Sequence, residues 1–394
     1  MRIFKKDPDF KFMNKKYIAF IFSGIIIAAG IITFYTKGFN LGIDFTGGTM
    51  VEVSFKNNLS VGDLRSSLGK VGLGKSEITR VGKNENKFFI KTIQSLDEKG
   101  GELKSSEEGE DLSTHEKITN LIKETFRADT DKEMLSQGKI DINNSSVKKI
   151  TDFISSQGIS HDIALEGAEQ IDNLKKQKSG GLILSLDEIR NLDLKKRVLT
   201  VFEEKSFLGN FTFLSSDFVG SQVGYKLRQQ TTLATIWALM GMLIYIGFRF
   251  RFIFGIAAVI TLFHDILIAL SFILFFNIEF SLQVVAAILT IVGYSLNDTI
   301  VIFDRVRDNL KLMRKDNAEK ILDRSINQTL SRTIVTSGTT LATVLSLFFL
   351  GGEVIHAFSF TLIVGVITGT YSSIFQSCAW LKIWESRFIG KKSK

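Results

Sequence analysis

Apolar residues in this chain gather into runs much longer than the stripe of a globular helix. Tyr17 to Thr36 carries no charged residue over about the 20 positions that a helix needs to cross a bilayer. Five further runs, Thr231 to Phe248, Phe252 to Phe276, Leu282 to Phe303, Thr333 to Leu350 and His356 to Leu381, bring the number of expected spans to six. A cleaved signal peptide would have a shorter apolar region, roughly 7 to 15 residues, ending at a small-residue site before a soluble domain. Further runs follow here, so the first is read as a span.

Between the first and second runs the pattern changes. Thr49 to Phe55 alternates as a half-buried strand does, Val61 to Leu68 fits a short helix opened by Ser60 as N-cap, and Phe88 to Ile93 reads as another strand. Residues 95 to 115 are Gly, Ser, Glu and Lys with little apolar content and read as a flexible polar excursion. Helical spacing returns near Ile118 to Phe126 and Val147 to Ile154, and Arg197 to Glu203 and Phe211 to Leu214 read as strands. The expected fold is a polytopic α-helical membrane protein of six transmembrane helices, with an α+β, ferredoxin-like extracytoplasmic domain at 37 to 230. The remaining parts are an N-terminal segment 1–16, a span at 17–36, spans 2 to 6 within 231–385 with a loop at 304–332, and a tail at 386–394.

Composition agrees with the spans: 45% of residues are apolar, 34 of them Phe, and mean hydropathy is positive. The single Pro argues against Pro-rich linkers, and the single Cys, Cys378, excludes an internal disulfide. A net charge of +8 could suggest a nucleic acid or an anionic surface. Residues 37 to 225 hold 26 Lys and Arg against 29 Asp and Glu, so that region is at −3 and the membrane flanks carry the excess. No nucleic-acid partner is expected; membrane lipids are.

The flanks also orient the chain. Six Lys and Arg precede Tyr17, two lie at Arg249 and Arg251, eight between Asp304 and Arg332, and five from Lys382 onward, whereas the short loops around Glu279 and Glu353 hold none. By the positive-inside rule both termini are cytoplasmic.

Ionisable residues inside spans are expensive and mark functional sites by default, which points to His264, Asp265 and Asp298. Thr290, Tyr294 and Asn297 or Asp298 fall on one face of the fourth span. Arg332, Thr336, Thr339 or Thr340, and Thr343 make a second polar stripe along the fifth. An Arg reaching inward from the cytoplasmic end can meet an Asp one to two turns deep. A carboxylate whose hold on a proton changes with the position of one Arg is a workable proton carrier, since the membrane field supplies about 2.3 kcal/mol per charge per 100 mV. The alternative is an ion pair that only holds two helices together. His264 and Asp265 point about 100° apart and cannot serve one partner equally; Asp265, with Thr261 one turn away, reads as a water-facing pair or, equally, as a helix-to-helix hydrogen bond. Gly365, Gly369, Ser373 and Ser377 recur every four residues, the pattern for close helix packing. No metal-ligand cluster or cofactor site is visible, and His115 and His161 are expected to be solvated surface residues.

Several motifs together resemble the SecD/SecF family of bacterial protein export, within the RND transporter superfamily. They are Gly42-Ile43-Asp44-Phe45-Thr46-Gly47-Gly48-Thr49 after the first span, His264-Asp265, Gly293 through Arg305, and Arg332-Thr333 with Thr336-Ser337 and Thr339-Thr340. The resemblance covers roughly 10 to 93 and 200 to 385; residues 95 to 195 exceed the family's usual extent, and Ser221 stands where it usually shows Pro. It implies one RND-type half, a SecF-type subunit partnered by SecD, the SecYEG channel, the motor SecA and unfolded preprotein, in the cell inner membrane. It also implies that Asp298 and Arg332 fall on positions linked to proton passage, a path to which the polar groups of the spans add Asn297, Thr336, Thr340 and Asp265, and that Gly42, Asp44, Phe45, Gly47 and Gly48 form the family motif. No hydrolytic or nucleotide site is seen. The rival readings are a non-conducting scaffold subunit and half of a lipid or solute exporter.

Overall fold

A computed structural model describes residues 8–81, 86–93, 108–178, 180–249, 252–313, 315–352 and 355–388. The basic residues of 1–7, Arg251, Arg314, Glu353, the tail from 389 and residues 95–107 of the expected excursion lie outside the described residues; its last part, 108–115, is helical instead of irregular. The chain divides into two units, Met1–Phe45 with Leu227–Lys394, and Thr46–Lys226.

The first unit holds six helices long and apolar enough to cross a membrane: span 1 Met13–Lys37, span 2 Ser221–Arg249, span 3 Phe252–Phe275, span 4 Leu282–Leu312, span 5 Ala318–Leu350 and span 6 His356–Ile383. Spans 4 and 5 run well past the apolar limits read from hydropathy. The region 304–332, expected as a loop, is helical except around 313–317, so Arg332 lies in mid-helix and not at the start of span 5. The two helical extensions form a hairpin in which Asn309 Nδ2 donates to Ser325 Oγ (2.8 Å) and Gln328 Oε1 (2.9 Å), and Arg305 Nε donates to Gln328 Oε1 (2.6 Å). Asn317 opens span 5 as its N-cap, accepting from the Glu319 amide. Lys16 and Lys382 both pair with Glu319, which places the starts of spans 1 and 5 and the end of span 6 at one end of the bundle. The expected small-residue packing of span 6 is present: a Cβ on Gly365 would stand 2.2 Å from Ile291 of span 4, and one on Gly369 would stand 3.1 Å from Ser295.

The second unit is built on a four-stranded antiparallel sheet of order β2-β3-β1-β6, where β1 is Gly48–Phe55, β2 Glu77–Val81, β3 Lys87–Thr92 and β6 Phe211–Val219. Helix α1 (Val61–Gly69) connects β1 to β2, and α2 (Glu108–Phe126) follows β3. This β-α-β-β-α-β order is the ferredoxin-like arrangement expected. Ser60 caps α1 in a full capping box with Asp63. Ile118 and Ile122 of α2 join Val51, Val53, Phe88 and Ile90 in the sheet's core.

Helix α2 therefore belongs to the sheet module, and the inserted lobe begins after it. That lobe carries α3 (Asp129–Ser136), α4 (Val147–Ser156), α5 (His161–Lys176), α6 (Leu186–Arg190) and α7 (Lys196–Lys205) around a short parallel pair, β4 (Ile140–Asp141) with β5 (Ser206–Phe207). It has its own core of Ile150, Ile154, Ile171, Val198 and Phe202. Arg197 to Glu203, expected as a strand, is helix α7: Val198 and Phe202, four apart, turn the same face inward. His161 is exposed as expected. His115 is half-buried instead, stacked on Phe218 (centroids 5.0 Å apart) with Nδ1 3.2 Å from Thr49 Oγ1.

Candidate intramembrane polar site

Among the buried polar residues of span 4, Ser295 and Asp298 lie one turn apart, about 4.5 Å along the axis. They look toward different neighbours. Asp298 faces span 5, where Ser337 Oγ donates to its Oδ2 at 3.4 Å, and Thr370 Oγ1 of span 6 stands 2.7 Å behind, donating to Ser337 Oγ. This is a sparse setting for a buried carboxylate, with one long hydrogen bond from a neutral donor.

Arg332, expected to pair with Asp298, is exposed and forms no contact ion pair with it among the described residues, although its charge lies within electrostatic reach of the carboxylate. Ser337, five positions further along span 5, takes that place. Asn297 also departs from Asp298: it continues the face of Thr290 and Tyr294, and its side chain is exposed. The hydroxyls of Thr336, Thr339, Thr340 and Thr343 donate to carbonyls one turn earlier on their own helix, as at Thr336 to Arg332 O (3.0 Å) and Thr340 to Thr336 O (3.0 Å). Asn297, Arg332, Thr339 and Thr343 are all exposed on spans 4 and 5, while Thr336 and Thr340 are half-buried.

Asp265 is fully buried at the centre of the bundle. Its Oδ1 lies 2.9 Å from His264 Nδ1; its Oδ2 accepts from Ser372 Oγ of span 6 (2.8 Å) and from Ser295 Oγ of span 4. The neighbours His264 and Asp265 thus bond each other. Thr261, expected as the partner of Asp265, donates to Ala257 O on its own helix (2.8 Å). The network continues from His264 Nε2 to Gln376 Nε2 (2.9 Å), and Gln376 Nε2 donates to Ser23 Oγ of span 1 (2.7 Å). Gln376 sits where span 6 breaks between two helical stretches, His356–Phe375 and Ser377–Phe388. Ser295, Ser337, Ser372 and Gln376 were not singled out by sequence reasoning, which followed the stripes of Thr290 and Tyr294 and of Thr336 to Thr343; Ser295 and Ser337 did lie inside the motifs that carry the resemblance.

At the opposite end of the bundle from Lys16, the Gly-Ile-Asp-Phe segment explains itself residue by residue. Gly42 N donates to Phe280 O (2.9 Å) and Phe280 N donates to Asn40 O (2.6 Å). A Cβ on Gly42 would stand 3.0 Å from Glu279 Oε1. Asp44 Oδ2 accepts from the Leu282 amide at 3.0 Å, the first residue of span 4, whose own N-cap Ser281 makes no side-chain bond. Asp44 is therefore a cap supplied from a distant segment, and its charge complements the helix dipole. Phe45 packs on Phe280. Gly47 and Gly48 hold φ of +69° and +123°, and a Cβ on Gly48 would meet Thr92 O at 2.4 Å, so both positions exclude side chains. Asp44→Ala should lower the stability of the purified protein by about 1 kcal/mol, with Asp44→Asn within a few tenths of wild type in micelle thermal melts. Equal loss in both variants would make the charge, not the cap, the stabilising feature.

Comparison with known proteins places these features. The family model described as protein export membrane protein SecD/SecF, C-terminal, matches residues 200–387, and that of the SecD/SecF GG motif matches residues 32–58. Among curated relatives, a "Protein translocase subunit SecF" of Koribacter versatilis is 38% identical over 386 residues, spanning 95% of this chain and 91% of the relative. One from Rickettsia typhi is 30% identical, spanning 100% of this chain and 97% of its own length. The two family models together leave residues 59–199 unmatched. The crystal structure of SecDF, a translocon-associated membrane protein from Thermus thermophilus, matches with a TM-score of 0.65 at 29% identity. That match covers 98% of this chain and 40% of the SecDF chain.

Proposed function

Because the chain belongs to the SecD/SecF family of protein-export membrane proteins, we propose that it is the SecF half of a SecD–SecF assembly in the inner membrane, drawing on the proton-motive force to promote preprotein translocation. Its termini face the cytoplasm, its α+β domain lies on the outer side, and it works beside the SecYEG channel and SecA. One observation carries the energetic part of this reading. Asp298 is a buried carboxylate with a single long hydrogen bond, placed where span 4 meets spans 5 and 6.

A carboxylate so sparsely held loses little when it takes up a proton, and its charge vanishes at that moment. The field across the membrane then has a charge to move between two protonation states. Coupling follows if the two states favour different arrangements of spans 4, 5 and 6, since a ligand shifts an equilibrium only by its differential affinity for the two arrangements. Arg332, exposed on span 5, is the cation that would approach Asp298 in the other arrangement. The outward face of Asn297, Arg332, Thr339 and Thr343 is too polar for lipid and is the surface SecD would cover. That requirement for a second half fits RND-type pseudo-symmetry.

The test is export of a secretory preprotein into inverted vesicles with an imposed proton gradient. Asp298→Asn and Arg332→Met should assemble with SecD yet lose the gradient-dependent part of export. Unchanged export in Asp298→Asn would make Asp298 structural and the chain a scaffold. Full activity on a sodium gradient alone would replace the proton with sodium.

A further inference from the structure

The α+β domain contains a cleft of about 510 Å³ where α5 and the loop 143–146 meet the start of β6. Four lysines line it, Lys123, Lys175, Lys176 and Lys178, against one carboxylate, Asp172. Lys176 is held by Asp172 (2.7 Å), and Lys178 pairs with Glu188. Lys175 donates to the carbonyls of Ser145 (3.1 Å) and Asn143 (3.5 Å), and Lys123 lies over the Phe213 ring, 5.2 Å from its centroid. Among the described residues neither Lys175 nor Lys123 forms an ion pair. Burial first, and then the neighbouring cations Lys149 and Arg127, hold the ammonium of Lys123 below its ordinary range. Burial also lowers Lys175. An anion arriving in the cleft relieves both.

The cleft opens onto the edge of a sheet. Strand β6 is the last strand, paired with β1 on one side only. The bond from Lys56 N to Asn210 O, followed by the register 54↔212, a bulge at 52/53, then 50↔217 and 48↔219, fixes which residues bond β1. Antiparallel alternation then directs the main-chain groups of Phe211, Ser216 and Phe218 away from β1. The first of these is already used: Phe211 O accepts from Asn144 Nδ2 of the loop (2.8 Å). The loop goes no further along the strand, and Ser216 and Asp217 are exposed. Thr212, Phe213 and Leu214 lie on both features at once, as strand residues and as walls of the cleft.

We propose that the cleft and the β6 edge together bind an extended polypeptide segment that carries acidic side chains. The segment adds beside β6 as a fifth strand, its main chain meeting Ser216 and Phe218, and one of its carboxylates sits between Lys123 and Lys175. Strand addition reads no sequence through the main chain, which suits a domain that meets many unfolded chains, while the lysines favour acidic stretches. This site rests on the translocation reading above and names what the domain would hold.

The test uses the full-length protein in micelles and a short fluorescein-labelled peptide of alternating Thr and Val with a central pair of Glu. Three further peptides serve as probes: its Glu→Gln counterpart, a counterpart N-methylated at alternate peptide groups, and the unlabelled parent. The Glu peptide should bind about tenfold or more tighter than the Gln peptide, and Lys123→Gln should remove that preference. N-methylation should abolish binding. Ser216→Pro, which deletes an outward donor and no ladder bond, should weaken both peptides alike. Equal affinity of the Glu and Gln peptides in wild type overturns the proposal, as does indifference to N-methylation. Displacement of the peptide by inorganic phosphate or anionic lipid vesicles, but not by the unlabelled parent, also overturns it and leaves an anion site of another kind. Gradient-dependent export in Asp298→Asn is scored separately, so peptide binding can fail while the proton-driven reading stands.

Discussion

Replacing Asp265 with Ala should destabilise the membrane bundle by about 2–3 kcal/mol, the largest effect of any single polar change in the spans. The fully buried carboxylate collects His264 Nδ1, Ser295 Oγ and Ser372 Oγ, so one side chain ties span 3 to spans 4 and 6. Its removal leaves three polar groups without an acceptor in an apolar interior. In water-soluble proteins breaking such a buried network costs about 3–5 kcal/mol. In a bilayer the loss is smaller, because stranded hydroxyls can turn to a carbonyl of their own helix, and Ser372 already has Gly369 O at 3.1 Å. His264 has no such retreat on its Nδ1 side. Asp265→Asn keeps an acceptor oxygen and the volume, so it should cost about 1 kcal/mol or less. Unfolding of the purified protein in mixed micelles with increasing denaturing detergent checks both values. If Asn proves as damaging as Ala, the negative charge itself holds the three helices, and Asp265 becomes the stronger candidate for ion passage.

The same residue shows where sequence reading stops. A bilayer demands about 20 apolar residues for each crossing, so all six spans were visible, each of them at one end or both to within a residue. Helix ends beyond the bilayer answer to other forces. Spans 4 and 5 continue through Asp304, Arg307 and Asp323 because their extensions bond each other through Asn309, Ser325 and Gln328. Hydropathy holds no trace of that pairing. Within the spans, ionisable residues in apolar runs drew attention to Asp298 and Asp265, both of them buried, but helical periodicity fixes faces only relative to each other. Which face meets which neighbour depends on how the helices are rotated, and that is decided by close contacts such as Gly365 on Ile291. Hence Ser337 stands at Asp298 where Arg332 was expected, and Ser295 and Ser372 stand at Asp265 where Thr261 was expected. Asp44 is a similar case: its motif was recognisable, while its work as the cap of span 4 joins residues 238 apart in sequence.

In the α+β domain β1, β3 and the start of β6 were legible as strands and α1 from its cap, while β2 (Glu77–Val81) was not read from the sequence. Helix α7 was misread because Val198 to Phe202 is a short apolar run rich in β-branched and aromatic residues, which periodicity alone does not assign to strand or helix. Length and a second turn of apolar residues would have separated them, and the segment has neither.

The inserted lobe hangs on one side chain, which gives the second large effect. Asn143, 2% exposed, donates from Nδ2 to Ile183 O and Gly209 O, each at 3.0 Å, and accepts at Oδ1 from Ile183 N, also at 3.0 Å. It thereby joins the β4 loop to the segment before α6 and to the turn that leads into β6. None of these main-chain groups can reach water once the lobe is closed. Asn143→Ala strands all three, and at about 1–3 kcal/mol for each orphaned group, with partial relaxation, the loss should be about 3–4 kcal/mol. Asn143→Asp should be no better, since it keeps the acceptor for Ile183 N but sets a carboxylate oxygen against two carbonyls. Hydrogen exchange on the full-length protein resolves where the loss falls. A local opening made easier by about 3 kcal/mol raises exchange about a hundredfold in peptides covering 140–144, 182–184 and 206–212. Protection in span 3 and span 4 should not change. Exchange that rises equally in the spans would show that the lobe and the membrane helices unfold as one, and an unchanged lobe would mean that Ile183 and Gly209 find other partners.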